Sequence, residues 1–184
     1  MKTLRNLKGL FTIAAALFMT AATAQETDTF PTPVENYDQG FRLGFGLSAG
    51  MMTDDLYDFA LGGDIRLQYD FSKRTSITLT TGFTNLFIGD DVKDLGFIPA
   101  KAGFKVFWWE DRFYAQMEAG AAFPVTNDYS GRVDNSLLLA PAIGWANKYV
   151  DLSLRYEHYT DFPTEDDGTG VGQVAVRLAY GFRL

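Results

Sequence analysis

Only a few residues of this sequence could carry chemistry, and the single histidine is the first of them. His158 stands in the segment RYEHYTD, residues 155–161, two positions before Thr160. An imidazole that accepts the proton of a nearby threonine hydroxyl makes that oxygen a nucleophile, and a carboxylate on the other ring nitrogen orients the base. His158 and Thr160 are therefore a candidate base and nucleophile. The connection that follows contains Glu165, Asp166 and Asp167 as candidates for the orienting carboxylate.

Clusters of carboxylates between the apolar segments are candidate sites for hard cations. The two densest clusters are Asp90, Asp91 and Asp94, and Glu165, Asp166 and Asp167. Ca²⁺ and Mg²⁺ prefer oxygen ligands, so either cluster could bind a divalent cation. Neither cluster has the spacing of an EF-hand loop. Solvated surface charge is the alternative interpretation.

Composition excludes several classes of function. The chain has no cysteine, which excludes a disulfide scaffold, a thiolate metal site, a cysteine nucleophile and lipid attachment at cysteine. A formal net charge of -7 argues against nucleic acid as a partner. Glycine-rich phosphate loops and histidine clusters are absent from the sequence, and we expect no cofactor. With 18 glycines and 15% aromatic residues, the composition favours an all-β chain.

The first 24 residues have the three parts of a secretory signal peptide. Basic residues precede an apolar run at residues 10–19, and the small residues Ala22, Thr23 and Ala24 follow it. An N-terminal membrane anchor is the alternative, but the run is short for a spanning helix, which needs about 20 residues. Residues 25–40 contain two prolines and four acids without periodicity, and we interpret them as a flexible periplasmic segment. Residues 41–184 form the predicted domain.

The predicted domain consists of segments in which apolar residues alternate with polar or small ones. A period of two indicates strands with one apolar face, and about ten residues suffice for a tilted strand to cross a bilayer. The eight segments are residues 41–51, 57–71, 76–88, 97–108, 113–123, 136–146, 149–159 and 171–184. The sixth is the least regular, because Leu137, Leu138 and Leu139 are consecutive. The pattern predicts an all-β, eight-stranded, antiparallel, up-and-down transmembrane β-barrel.

Short and long connections alternate along the chain. The short ones are residues 72–75, 109–112 and 147–148, and the long ones are residues 52–56, 89–96, 124–135 and 160–170. In outer-membrane barrels, short turns lie in the periplasm and long loops lie outside. We therefore expect both termini in the periplasm. The long connections are rich in aspartate, whereas the short turns contain Lys73, Arg74, Arg112 and Lys148.

Alternation alone does not show which face is inside, because a soluble lipocalin-like barrel would have the apolar face within. Aromatic residues near strand ends, as in interfacial girdles, and opposite charges mixed with glycine on the polar face favour the membrane form. Eight strands enclose a lumen just wide enough for side chains, so we expect paired charges to fill it. The alternative is a narrow ion path. The predicted lumen charges are Arg42, Asp64, Arg66, Asp70, Lys101, Lys105, Glu118, Asp151, Arg155, Glu157, Arg177 and Arg183.

The last segment ends on Tyr180, Phe182 and Leu184 at alternate positions. It resembles the closing strand of outer-membrane β-barrels, and the barrel assembly machinery recognises that strand. With the signal peptide and the strand count, the chain resembles the small outer-membrane β-barrel proteins, porin-like or OmpX- and OmpA-barrel-like, of the Bacteroidetes type. The resemblance implies a monomer in the outer membrane of a Gram-negative bacterium, in contact with lipid and lipopolysaccharide. It implies a structural or surface-interaction role; a small-solute porin is an alternative.

A second resemblance concerns the histidine. His158-x-Thr160 is similar to the His-x-Ser of the outer-membrane lipid A deacylases, which are eight-stranded barrels that hydrolyse an acyl chain of lipopolysaccharide. The resemblance implies an acyl hydrolase as the alternative function. The sequence departs from that pattern in two places, because Thr160 replaces serine and Gln173 stands where a glutamate is wanted.

Overall fold

Eight antiparallel strands close into a barrel in the computed structural model, which describes residues 39–88, 94–108, 112–126, 135–164 and 169–184. The strands are β1 Gly40–Met52, β2 Tyr57–Ser72, β3 Thr75–Ile88, β4 Leu95–Trp108, β5 Phe113–Pro124, β6 Ser136–Ala146, β7 Val150–Pro163 and β8 Thr169–Arg183. Each strand pairs with its neighbours in sequence, and β1 closes the barrel against β8, from Arg42 opposite Arg183 to Met52 opposite Gln173. The predicted fold class is confirmed.

No helix within the described ranges is long and apolar enough to cross a membrane.

The observed strands match the predicted segments closely, except at the connection between β7 and β8. The sequence predicted a loop at residues 160–170, but β7 continues to Pro163 and β8 begins at Thr169. Tyr57 Oη donates a hydrogen bond to the carbonyl oxygen of Pro163 at 3.0 Å, and Phe162 is completely buried. These contacts stabilise the extension of β7. The sequence pattern did not predict the extension, because alternation ends after Tyr159.

Two of the tight turns are stabilised by side-chain oxygens that accept hydrogen bonds from backbone amides. Ser72 Oγ accepts hydrogen bonds from the backbone amides of Arg74 and Thr75, at 3.2 and 3.1 Å. Asn147 Oδ1 accepts from the amides of Tyr149 and Val150, at 2.8 and 2.7 Å. Serine and asparagine favour such turns because their short side chains reach the backbone two or three residues on.

The apolar face of every strand is on the outside of the barrel. Leu47 and Met51 are 74% and 70% exposed, whereas the charged side chains of Arg177 and Glu118 are both 1% exposed. A soluble barrel would show the reverse arrangement. The lipocalin-like alternative is therefore wrong, and the prediction of an apolar exterior is confirmed.

The interior has two layers. The charged and hydroxyl side chains form one layer. The other, which we call the apolar layer, lies where β3 ends and β4 begins, away from the barrel's termini at Gly40 and Arg183. Phe97, Tyr159 and Phe162 pack there with ring centroids 4.9 to 5.2 Å apart. The apolar layer consists of Tyr57, Ala60, Leu86, Leu95, Phe97, Ala122, Leu138, Tyr159, Phe162 and Val171. The sequence analysis predicted only the charged layer.

One glycine creates the space for the best-defined ion pair of the charged layer. Arg177 on β8 reaches across β1 to Asp64 on β2, with Nε 2.7 Å from Oδ2. Gly46 is the β1 residue between them in the register, opposite both Asp64 and Ala179. A Cβ atom at Gly46 would lie 2.7 Å from Arg177 Cζ, closer than such atoms approach. Glycine at this position lets the guanidinium lie over the strand.

We predict that Gly46→Ala lowers the free energy of unfolding by about 1–3 kcal/mol, since the added methyl group must displace a guanidinium that Asp64 holds in the interior. Urea unfolding of the barrel in lipid vesicles, followed by tryptophan fluorescence, measures the change.

Gly44→Ala is the matched control, because Gly44 lies two residues away on the same face of β1. Its Cβ would lie 3.6 Å from the nearest atom, Tyr180 O, an ordinary contact. We expect a change of less than about 0.5 kcal/mol. Equal effects of the two substitutions would contradict the assigned role of Gly46.

Candidate functional site

The charged layer is built on carboxylates that each bind groups from other strands. Glu118 on β5 lies 3.2 Å from Arg66 Nη2 of β2 and 3.9 Å from Lys101 Nζ of β4. Thr80 Oγ1 donates a hydrogen bond to Glu118 Oε1 at 2.7 Å and accepts one from Arg66 Nε at 3.0 Å. Four adjacent strands, β2 to β5, are thus tied together at this carboxylate.

Glu157 on β7 holds a second group of contacts. Lys101 Nζ donates to Glu157 Oε1 at 2.6 Å, and Arg155 Nε lies 3.4 Å from the same oxygen. Tyr159 Oη lies 2.8 Å from Glu157 Oε2 and 3.0 Å from Gln173 Oε1. Through Tyr159, which also belongs to the apolar layer, this carboxylate connects the two layers of the interior.

Asp151 on β7 holds a third group, closer to the termini. Lys105 Nζ and Tyr114 Oη each donate to Asp151, both at 2.6 Å. The Lys105 ammonium also lies 3.7 Å from the centroid of the Tyr114 ring, a cation–π contact. Tyr114 is neutral and was not among the predicted lumen charges. It shares the inward parity of Gln116 and Glu118, and this parity was the signal that could have identified it.

The remaining predicted charges lie nearest the termini. Arg42 Nε donates to Asp70 Oδ2 at 2.8 Å, and the Arg42 side chain is 38% exposed. Asp70 also accepts from Gln68 and Ser76, each at 2.6 Å. The structure places Arg183 at the exposed end of the barrel, where it donates to the carbonyl oxygen of Gln39 at 3.3 Å, outside the buried charged layer.

The ion pairs cross the lumen from wall to wall. Lys101–Glu157 and Lys105–Asp151 join β4 to β7, and Arg66–Glu118 joins β2 to β5. In a closed barrel of eight strands, strands three positions apart lie nearly opposite each other. The side chains of these pairs therefore span the interior, and the space through which a solute would pass holds buried ion pairs.

The structure places His158 and Thr160 on the outer surface of β7. The His158 ring is half-buried and stacks with Tyr156 at a centroid distance of 6.5 Å. Thr160 Oγ1 donates its hydrogen bond to Asp161 Oδ2. Gln173 points into the lumen and is 2% exposed, so it lies on the opposite face of the barrel wall from the histidine.

A nucleophilic hydroxyl must donate its proton toward the base, and here the hydroxyl is directed to a carboxylate. Among the described residues His158 makes no hydrogen bond that would orient its imidazole. His158 and Thr160 thus lie on the same face of β7, but the threonine hydroxyl does not donate to the imidazole. Glu165, Asp166 and Asp167 lie outside the described residues.

One residue of the candidate cation clusters can be placed. Asp94 accepts hydrogen bonds from Asn85 Nδ2 at 2.9 Å and from the Ile88 amide at 3.3 Å, so its carboxylate joins the ends of β3 and β4. Asp90 and Asp91 lie outside the described residues. Within the described ranges, no group of three histidine, cysteine, aspartate or glutamate side chains is placed to hold a metal ion.

No protein-family model matches the sequence, and no curated protein matches it significantly. Solved structures do match. The Yersinia pestis attachment invasion locus protein Ail is 15% identical, with a TM-score of 0.52, and the match covers 79% of this chain and all of Ail. The N-terminal β-barrel domain of Pseudomonas aeruginosa OprF is 9% identical, with a TM-score of 0.54, and the match covers 79% of this chain and all of that domain. The chain therefore has the fold of the small outer-membrane β-barrel proteins that its strand pattern and closing segment resemble.

Proposed function

We propose that this chain is a non-enzymatic barrel of the outer membrane of a Gram-negative bacterium, with a role at the cell surface. The observation that carries the proposal is the distribution of side chains between the two faces of the barrel wall. Apolar side chains cover its outside, and buried ion pairs cross its lumen. Such an exterior is stable in lipid, and such an interior is closed to solutes.

The outer surface supports a membrane location in detail. At the end that holds the termini, Phe41, Tyr69 and Phe71 form a continuous aromatic contact, with centroid distances of 4.8 and 5.1 Å. Aromatic side chains favour the interface between lipid and water. At the other end, Phe59 and Phe87 stack at 4.3 Å. These contacts on the two ends of the outer surface resemble interfacial girdles.

The proposed orientation follows from the connections. The chain enters β1 and leaves β8 at the end with the tight turns, so both termini lie in the periplasm. The outward-facing Tyr180 and Phe182 near the end of β8 are then presented to the barrel assembly machinery during insertion. The closed barrel has no free strand edge, which is consistent with a monomer in contact with lipid and lipopolysaccharide.

The charge of the long connections indicates what the surface contacts. Ail has been crystallised with sucrose octasulfate, a heparin analogue and therefore a polyanion. In this chain the long connections are acidic, because aspartate and glutamate outnumber lysine and arginine there. We propose that they contact cations, including those that bridge lipopolysaccharide phosphates, or basic groups on another surface.

We predict that the protein is recovered in the outer-membrane fraction and that unboiled and boiled samples migrate differently on a denaturing gel. A closed barrel keeps its backbone hydrogen bonds in cold detergent, and heating opens it. Electrophoresis of both samples from each cell fraction tests this. Recovery from the soluble periplasmic fraction without a heat shift would contradict the membrane proposal.

We predict that the folded protein gives no stable conductance steps in planar lipid bilayers. The wall-to-wall ion pairs occupy the lumen, and the apolar layer closes it at the end away from the termini. A large open porin, reconstituted in the same bilayers, is the positive control. Reproducible steps from this protein would support the alternative of a small-solute porin.

We predict that expression of the protein leaves the acyl chains of lipid A unchanged, and that His158→Ala behaves like the wild type. The reason is that the Thr160 hydroxyl donates to Asp161, so His158 has no nucleophile to activate. Mass spectrometry of lipid A from expressing cells provides the measurement. Loss of an acyl chain with the wild type, abolished by His158→Ala, would establish the deacylase alternative.

A further inference from the structure

Arg155 is a buried cation whose contacts differ from those of the other lumen cations. It lies in the middle of β7 and is 5% exposed. Its Nε and Nη1 atoms make no hydrogen bond with any residue that the structure describes. The residues paired with it on the neighbouring strands are Ala142 on β6 and Ala175 on β8, whose methyl groups offer no acceptor.

The carboxylates of the charged layer are bound more closely by other groups. Glu157, 3.4 Å from Arg155 Nε, accepts from Lys101 at 2.6 Å and contacts Tyr159. Arg177 binds Asp64 through two of its nitrogen atoms. Glu118 is bound by Arg66 and by Thr80, and Asp151 by Lys105 and Tyr114. Arg155 therefore has no carboxylate of its own in the described interior.

The charge balance of the described interior agrees with this. Five cations have a carboxylate partner within 3.2 Å, and Arg155 is the sixth. The cations are Arg42, Arg66, Lys101, Lys105, Arg155 and Arg177, and the carboxylates are Asp64, Asp70, Glu118, Asp151 and Glu157. One positive charge is in excess. Burial of a charge without compensation is strongly unfavourable, more so than burial of an unbonded neutral donor.

We propose that Arg155 binds a small monovalent inorganic anion, of the class of chloride, inside the barrel. A water molecule could accept a hydrogen bond from Nε or Nη1 but would leave the charge excess, whereas a halide at either nitrogen accepts a hydrogen bond and compensates the charge. The anion completes the charged layer as a structural component. This inference concerns the interior and is independent of the surface role proposed above.

Bromide is the probe that locates the site, because it resembles chloride and scatters anomalously. The protein is purified from cells, unfolded, and refolded in detergent with sodium bromide as the only halide. It is then crystallised. We expect an anomalous difference peak at the bromine edge in hydrogen-bonding contact with Arg155 Nε or Nη1. Ordered water there without anomalous signal, a carboxylate from a connecting loop in contact with Arg155, or an adventitious ion only, bound elsewhere, would overturn the proposal.

Thermal unfolding provides a second measurement. At equal ionic strength, we expect wild-type protein refolded in bromide to unfold about tenfold more slowly than protein refolded in gluconate, a much larger organic anion. Arg155→Met should lose this dependence on halide.

Arg42→Met is the matched control, since Arg42 is also a lumen arginine but has Asp70 as its own partner. It should retain the full halide effect. An equal halide effect in Arg155→Met and the wild type would overturn the proposal. If Arg155→Met fails to fold, the anomalous map of the wild type decides the question.

Discussion

The ion pairs that cross the lumen are the constraint on which the rest of this barrel depends. Because the exterior is apolar, the polar face of every strand faces the lumen. Eight strands enclose too little space there for bulk water. Each buried charge therefore needs a partner within reach. Lys101 and Lys105 on β4 have theirs on β7, nearly opposite across the interior. Removal of one partner of such a pair typically costs about 3–5 kcal/mol, because the other charge remains buried.

The limited space explains the other features of the interior. Arg177 reaches Asp64 only because Gly46 leaves the surface of β1 open beneath it. Farther from the termini, charges give way to Phe97, Tyr159 and Phe162, which pack without any need for partners. Tyr159 joins the two regions, since its ring packs in the apolar layer and its hydroxyl contacts Glu157. The interior is thus continuous from the exposed Arg42 to the buried aromatic rings.

The sequence predicted the fold because a period of two depends only on local order along each strand. For the same reason, most of the predicted lumen charges alternate with exposed apolar residues, and the structure buries Asp64, Arg66 and Arg177 among them. The sequence could not predict which charges meet, since Lys101 and Glu157 are 56 residues apart and their contact depends on the stagger of the whole barrel. It also missed the apolar layer, whose members lie where alternation fails. Leu138 stands between two other leucines and Leu86 begins a run of three apolar residues, and such runs conceal which residue faces inward.

The segment RYEHYTD that first indicated chemistry has a structural explanation. Arg155, Glu157 and Tyr159 occupy alternate positions and all face the lumen. His158 lies between them on the outer face because the strand has only two faces. After Tyr159 the register of β7 against β8 shifts, and Thr160 turns its hydroxyl to Asp161. A cluster of polar side chains that looks catalytic in sequence is therefore divided by the barrel wall, and its inner half supplies charge to the core.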